Sequence, residues 1–392
     1  MLHRLPPRLV HACTDVVAFA RLQAAARSDK LACYLGVDPT AASLHVGHLI
    51  GVAAVRHLAG IGFTPVGLIG GATALIGDPS FRDKEREPLS PDIVARNATA
   101  LEAQLKRLLG DECVMVNNAA WFSRMSAVEL LKDVGTHFRV NAMQSREAVK
   151  HRDGLSFTEL SYSMLQAYDF YVLHREHRVR VQVGGSDQWG NIVSGVELIH
   201  KLRGRGEDAV GLTVPLVTVG KRKLGKSAGN AVWLDASLTS DFALYQYFMR
   251  LDDDDARGIA GLFGDDEAWT KAELAAHVLA MARGDDAVAR ARKLTGLLYG
   301  EHTADTRAAV VAAAGEADEP PTRVEVGQLV AAAACKAGLC ASNNEARRLE
   351  ASGGLYLNGA RVAKGCTLSE DDFEGGVALV RAGKSRWKVL KR

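Results

Sequence analysis

The sequence predicts an α/β protein in three parts: a parallel-sheet domain over residues 1–222, a helical domain opened by a basic loop over 223–318, and a small α+β module over 322–392. Three observations carry that expectation. Buried-strand runs alternate with helical stretches through the first half, the pattern of a parallel sheet whose strands are joined by helices. From Leu238 to Ala314 the composition turns to Ala, Asp, Leu and Arg at helical spacing. The polar stretch EADEPPTR, Glu316 to Arg323, then holds Pro320 and Pro321 and reads as a linker.

Residues 31–38 read as a buried strand, and Val46 to Leu58 as a helix that packs Leu49, Val52, Ala53 and Leu58. FTPVGLIGGATALIGDP repeats the strand, with Gly70, Gly71 and Gly77 permitting sharp turns near a ligand. A mixed helical region from Pro91 to Gly110 precedes the strand VMVNN and a segment holding Leu130 and Leu131. ELSYSMLQAYDFYVL, between Phe157 and Arg175, forms one helix in which Tyr162, Gln166 and Asp169 recur at four and three and share a face. RVRVQVGGSDQWGN alternates as a strand through Val183, breaks at Gly184 and Gly185, and enters a helix through IVSGVELIHKL. Polar residues gathered at a strand's C-terminal end are where open α/β sheets bind ligands. In the last module VGQLVAAAACKAGL and NNEARRLEAS look helical, and GLYLNGARV is a short hairpin turning at Asn358 and Gly359. GGVALVRAGKSRWKVLKR ends the chain with six basic residues and no acid, a solvated edge or an RNA surface.

Bulk properties narrow the class without choosing a function. At 47% hydrophobic residues the chain builds a large core, and a net charge of +2 means that any basic surface is local. Cysteines 13, 33, 113, 335, 340 and 366 form no CxxC pair, so neither a structural zinc site nor a redox pair is suggested, and a reducing compartment fits them. Apolar runs break before the ~20 residues of a membrane helix. MLHRLPPRLVHACTD has two arginines and no acid before Asp15, compatible with the remnant of an organelle presequence.

Two stretches carry chemistry. In CYLGVDPTAASLHVGHLIG, His45 and His48 are three apart and share a helix face or a helix start. A metal pair would want a third ligand, and neither HExxH nor a cysteine companion is nearby. Gly47 between them allows close backbone approach, and a helix N-terminus attracts phosphate, so phosphate binding and packed histidines both stand on this stretch alone. In GKRKLGKSAGN, Gly220 to Asn230, Lys221, Arg222, Lys223 and Lys226 with Gly225 and Gly229 make a flexible cationic loop suited to a leaving polyphosphate. It does not read as a Walker A loop, although GKS occurs.

Together these stretches resemble the two signature motifs of class I aminoacyl-tRNA synthetases. YLGVDPTAASLHVGHL, IGDPS, SYSMLQAYDF, QVGGSDQWGN and KLGKS, in that order, are similar to the tyrosyl-tRNA synthetases of bacteria and mitochondria, and AGNAVWL leans towards the mitochondrial members. SNNEARRLEASGGLYLNGARV resembles their S4-type RNA-binding module. The similarity runs from about residue 31 to the C-terminus and is weakest after Leu251.

The resemblance implies a Rossmann-like catalytic domain, a helical domain and an S4-like module. It implies that His45, His48 and Thr40 contact ATP phosphates and that Lys223 and Lys226 close over pyrophosphate. Asp38 and Gly47 would lie against the nucleotide with Leu224 and Ser227, and Asp187 with Gly184 and Gly185 would hold the ribose. Tyr34 and Asp169 would bond the substrate phenol, and Tyr162, Gln166 and Asp78 its ammonium, with Gln182 and Gln188 completing the tyrosine pocket. Arg347, Arg348, Lys384, Arg386 and Lys388 would touch RNA. The implied partners are L-tyrosine, ATP with Mg2+ as a substrate complex, tRNA(Tyr) and a second copy in a homodimer, with no protein-bound metal and no membrane. The implied location is the mitochondrial matrix or the bacterial cytoplasm.

Departures from the family pattern fall in three places. Arg82, Lys84 and Arg86 are alternatives for a mobile cation, Gly51 is smaller than the family's usual residue near the ribose, and NNAAW, Asn117 to Trp121, keeps the Asn pair but has plainer alanines. The rival class is a non-catalytic RNA-binding or splicing-related protein on a synthetase scaffold.

Overall fold

The structure is a computed structural model that describes residues 9–82, 87–151, 154–216, 218–219, 222–223, 231–263, 269–299, 321–373, 376–383 and 386–392. The chain divides into two compact units, Met1–Asp235 with Arg250–Leu274, and Ala236–Met249 with Ala275–Arg392.

The first unit is built on a six-stranded sheet: β1 (Ala12–Cys13), β2 (Ala32–Val37), β3 (Thr64–Ile69), β4 (Val114–Asn117), β5 (Val179–Gly185) and β6 (Val210–Val214), in the order β1-β6-β5-β2-β3-β4. β6, β5, β2, β3 and β4 run parallel, and only the two-residue β1 is antiparallel. β2 and β3 are nearly continuous apolar runs, buried except at Gly36 and, in part, Thr64, as strands covered by helices on both faces must be. Helices His48–Ile61, Pro91–Leu109 and Trp189–Arg203 make the crossovers from β2 to β3, β3 to β4 and β5 to β6. The first ends on Gly62, whose φ of 118° is the left-handed cap that glycine adopts without cost. Between β4 and β5 lies the helix Phe157–Glu176, opened by a capping box between Ser156 and Glu159. Its Phe170 and Leu173 join Tyr34, Leu68 and Val179 in the core of the sheet.

Strand order reverses at β2, which has β3 on one side and β5 on the other. In such a sheet the chain leaves the C-terminal ends of adjacent strands in opposite directions and opens a crevice there. The sequence reading missed β1 and β6 and ended β5 too soon. β5 continues through Gly184 and Gly185, which pair with Thr213 and Val214 of β6.

In the second unit, Asp241 opens the helix Asp241–Met249 and is gripped by Arg283 at 2.7 Å and by Arg290 at 2.6 Å. Its neighbour Phe242 meets Trp387 edge-on, ring centres 5.8 Å apart. The C-terminal sheet holds β9 (Thr322–Arg323), β10 (Leu355–Leu357), β11 (Ala360–Arg361), β12 (Val377–Ala382) and β13 (Arg386–Lys391), in the order β11-β10-β12-β13-β9. Helices Val330–Lys336 and Asn343–Ala351 pack on it, and Asn358 and Gly359 turn the β10–β11 hairpin with φ of 47° and 84°. The basic terminus is an inner strand only at its end. β12 pairs along the whole of β13, β9 covers Leu390 and Lys391 on the other side, and Trp387, Val389 and Leu390 are buried. Thr322 and Arg323, read as linker, are strand β9; residues 316–320 of that stretch lie outside the described residues.

Among the described residues no helix is long and apolar enough to cross a membrane, and no group of three or more His, Cys, Asp or Glu side chains is placed to hold a metal ion.

Candidate active site

A cleft of about 740 Å³ opens at the strand C-termini, a volume suited to a small-molecule ligand. It is lined by Tyr34, Asp38, Thr40, His45, Gly47, His48, Asp78, Tyr162, Gln166, Asp169, Gln182, Gly184, Gly185, Asp187 and Gln188, so all the expected site residues before β6 come together. Strand geometry explains much of this convergence. Asp38 follows the end of β2, Gly70 the end of β3, and Asp187 sits in the Ser186–Gln188 turn after β5. Two glycines are required by close approach. A Cβ on Gly70 would stand 2.0 Å from Asp38 Oδ1, and one on Gly185 would stand 2.6 Å from Asp187 Oδ1. Gly51 also lines the cleft, and a Cβ there would press Leu35 at 3.1 Å.

One end of the cleft is a buried polar network. Asp169, 2% exposed, accepts hydrogen bonds from Asn118 Nδ2 at 3.1 Å and Trp121 Nε1 at 2.9 Å. Asn118 also donates to Thr73 Oγ1, Thr73 donates to Asp38 Oδ1 at 2.7 Å, and Tyr162 Oη donates to Asp38 Oδ2 at 2.9 Å. Burial lifts the Asp169 carboxyl well above the usual range against the pull of Asn118 and Trp121. Burial, and then Asp169, raise the Tyr34 phenol, which stays protonated. Tyr34 Oη, Gln166 Oε1 and Gln182 Oε1 are buried and have no hydrogen-bond partner among the described residues. Buried polar atoms are almost always satisfied, so three such atoms facing one cleft mark where a polar ligand binds. Beside them Gln188 Nε2 donates to Asp78 Oδ2 at 2.8 Å, and the Ser80 N–H to Asp78 Oδ1 at 3.0 Å.

The other end is made of chain segments outside the sheet. His48 is the first residue of its helix, while His45 precedes the helix in an isolated bridge to Trp233. The histidines therefore meet at a helix start, with ring centres 3.9 Å apart. Nδ1 of His48 accepts the His45 N–H at 3.1 Å, and Nδ1 of His45 accepts the Gly47 N–H at 3.1 Å. A backbone N–H can only donate, so the neutral His45 ring carries its proton on Nε2, whereas Nδ1 of His48 also lies 3.3 Å from the His45 carbonyl. Two imidazoles and a helix N-terminus on one cleft suit an anionic group.

Lys223 lies in a two-residue strand, Arg222–Lys223, paired with Thr218–Val219. Leu224, Lys226 and Ser227 lie outside the described residues, as do Lys84, Arg86 and Lys384. By letters alone Gly220 to Ser227 does fit GxxxxGK[ST], a match the sequence reading passed over. A Walker A loop runs from a sheet strand into a helix, whereas here Arg222 and Lys223, inside the match, pair back with Thr218 and Val219, and the pairing of residues 232–234 with 44–46 comes after. Arg347 and Arg348 are exposed on their helix, while Arg386 is committed to the Leu339 carbonyl at 3.0 Å and faces Glu345 at 3.8 Å. Asn118 and Trp121 are the site residues that sequence reasoning did not assign. NNAAW held the signal, but their contact with Asp169 spans about fifty residues and no local periodicity reports it.

A family model described as tRNA synthetases class I (W and Y) matches residues 26–302. The tyrosine–tRNA ligase of Clostridium botulinum is 35% identical over 386 residues, 93% of each chain. That of Acidothermus cellulolyticus is 38% identical, covering 98% of this chain and 94% of its own. A C-terminally truncated mitochondrial tyrosyl-tRNA synthetase from Aspergillus nidulans superposes with a TM-score of 0.63 at 29% identity, over 72% of this chain and 89% of that one. The chain belongs to the tyrosyl-tRNA synthetases of class I. Its bacterial relatives are more similar in sequence than this mitochondrial one, against the leaning read from AGNAVWL.

Proposed function

We propose that the chain activates L-tyrosine with ATP, forming tyrosyl-adenylate and pyrophosphate, and transfers the tyrosyl group to tRNA(Tyr). The observation that carries this reading is the set of buried, unpartnered atoms Tyr34 Oη, Gln166 Oε1 and Gln182 Oε1 beside the buried Asp169 carboxyl. A phenol entering there donates its proton to Asp169 and meets Tyr34 Oη. An ammonium group satisfies Gln166 with Asp78 and the Tyr162–Asp38 pair nearby, and Gln182 and Gln188 complete the wall.

With the amino acid so held, its carboxylate attacks the α-phosphate of ATP. No protein nucleophile is needed, because the substrate supplies one. The protein contributes orientation and charge stabilisation. His45, His48, Thr40 and the helix start receive the phosphates; Lys223 and Lys226 neutralise the leaving pyrophosphate; Asp38, Gly47, Leu224 and Ser227 border the nucleotide; and Asp187 with Gly184 and Gly185 takes the ribose. Magnesium enters with ATP and lowers the charge of the polyphosphate. The terminal adenosine hydroxyl of the tRNA then attacks the activated carbonyl.

The remaining parts follow the same reading. Residues 1–222 are the catalytic domain, 223–318 the loop and helical domain, and 322–392 an S4-like module that binds RNA through Arg347, Arg348, Lys384, Arg386 and Lys388. A homodimer follows from the resemblance to the family. Bacterial relatives support the bacterial cytoplasm as its location. The test is tyrosine-dependent exchange of pyrophosphate into ATP. A protein that binds RNA but shows no such exchange is the non-catalytic alternative, and the reading fails.

A further inference from the structure

We propose that Gln104 is a positioning residue for adenylate formation, stapling the segment that carries His45 to the chain that returns from the basic loop. The inference rests on the reading of the cleft as an adenylate-forming site, and Gln104 itself touches no substrate in that reading.

Gln104 is 5% exposed on the helix Pro91–Leu109. A polar side chain so buried is costly unless bonded, and the bonds of Gln104 all go to two segments distant in sequence. Its Oε1 accepts the Leu44 N–H at 3.0 Å and lies 3.2 Å from the Ser43 hydroxyl. Its Nε2 faces the Ala42 carbonyl and Asp235 Oδ2, each at 3.5 Å. Donors on one side and acceptors on the other fix the orientation of the amide. Ser43 extends the bridge, because its Oγ accepts the Asp235 N–H at 3.0 Å.

The backbones so joined are also paired directly. Leu234 N–H donates to the Leu44 carbonyl at 2.8 Å, and Val46 N–H to the Val232 carbonyl at 3.0 Å, with His45 and Trp233 bridged between them. His45 thus sits one residue beyond the atom that Gln104 holds. Two turns earlier on the same helix face, Asn97 Nδ2 donates to the Pro39 carbonyl at 3.0 Å and holds the other end of the segment that carries Thr40. One rigid helix therefore sets the height of the phosphate end of the cleft, while the phenol network is built from other elements.

The variants are Gln104→Met, which keeps the volume and removes both hydrogen-bonding ends, and Ser43→Ala, which removes only the hydroxyl. Two readouts are needed. Hydrogen–deuterium exchange of the peptides covering 42–48 and 231–236 should speed up in Gln104→Met while β2 and β5 keep their protection. The kcat of tyrosine-dependent pyrophosphate exchange should fall about tenfold or more, since misplacing a reacting group by ~1 Å costs up to ~100-fold, and the Kd for tyrosine should stay within about twofold. Ser43→Ala should shift both in the same direction by less. Combining Gln104→Met with His45→Ala should cost less than the product of the single effects, because Gln104 acts through His45.

Unchanged deuterium exchange in both segments overturns the staple whether or not the protein is active. Faster exchange with wild-type kcat, or kcat and tyrosine affinity falling together, overturns the positioning role. Wild-type protein without pyrophosphate exchange defeats the functional reading, and the deuterium result then decides the staple by itself.

Discussion

The two ends of the cleft are built differently. At the phenol end Tyr34, Asp169, Asn118 and Trp121 are fixed by strand β2, the helix Phe157–Glu176 and a hydrogen-bonded network, and the charge they hold is buried. At the phosphate end His45 and the chain beyond residue 231 are held by backbone pairing and by Gln104, and the donors are N–H groups. A site that selects a neutral hydroxyl needs polar groups that cannot relax when the hydroxyl is missing. A site that follows charge onto a leaving group needs donors aimed where that charge develops.

The largest effect expected of this contrast is discrimination without editing. Phenylalanine would leave Tyr34 Oη without a partner and Asp169 without its substrate donor, so its kcat/KM in pyrophosphate exchange should be ~10⁴ to 10⁵ below that of tyrosine, the magnitude already known for tyrosyl-tRNA synthetases. A preference below about tenfold would mean that the network does not read the hydroxyl. At the other end, His48→Ala should slow adenylate formation by ~10² to 10³, as the loss of one donor to developing charge does elsewhere, and leave the Kd for tyrosine alone. Burst kinetics with a tyrosine titration separate the two, and a rise in Kd matching the fall in rate would erase the division between the ends.

Asn118→Ala should do the converse. Removing a donor to a buried carboxylate costs about 1–3 kcal/mol, so tyrosine binding should weaken by roughly tenfold or more, while the KM for ATP stays near wild type. Calorimetry and exchange kinetics check this, and an effect on ATP alone would place Asn118 at the wrong end.

The smallest effect is in pH. The folded protein holds the Asp169 proton more tightly than the unfolded chain, whose aspartate titrates near ~3.9. Between those two values the unliganded protein therefore loses stability as pH rises. A phenol that donates to the carboxylate needs that proton gone. Tyrosine binding should weaken as pH falls through the raised value, and binding that stays flat down to the ordinary carboxylate range would remove Asp169 as the acceptor.

The same contrast governed what the sequence could disclose. Tyr162, Gln166 and Asp169 were legible because one helix carries all three at a 3.6-residue period, and the apolar runs of β2, β3 and most of β5 were legible as strands. His45 and His48 were readable only by resemblance, since their placement depends on pairing with residues almost two hundred positions later. β6, VGLTV, was too short a run to identify, although it is buried throughout beside β5. RWKVLK alternates as a strand should, but its basic residues drew the reading to the surface while Trp387 and Val389 lie inside. Gln104 and Asn118 were invisible for a common reason: a buried amide on a helix or turn looks in sequence like a solvated one.

The central claim, that the buried end of the cleft recognises a phenol hydroxyl, is tested most directly by kcat/KM for tyrosine and phenylalanine in pyrophosphate exchange with wild type and Tyr34→Phe. The coupling between Tyr34 Oη and the substrate hydroxyl should be at least ~0.5 kcal/mol, the low end for a net hydrogen bond, so the preference for tyrosine should fall by about twofold or more. A Tyr34→Phe protein that prefers tyrosine as strongly as wild type would contradict the account.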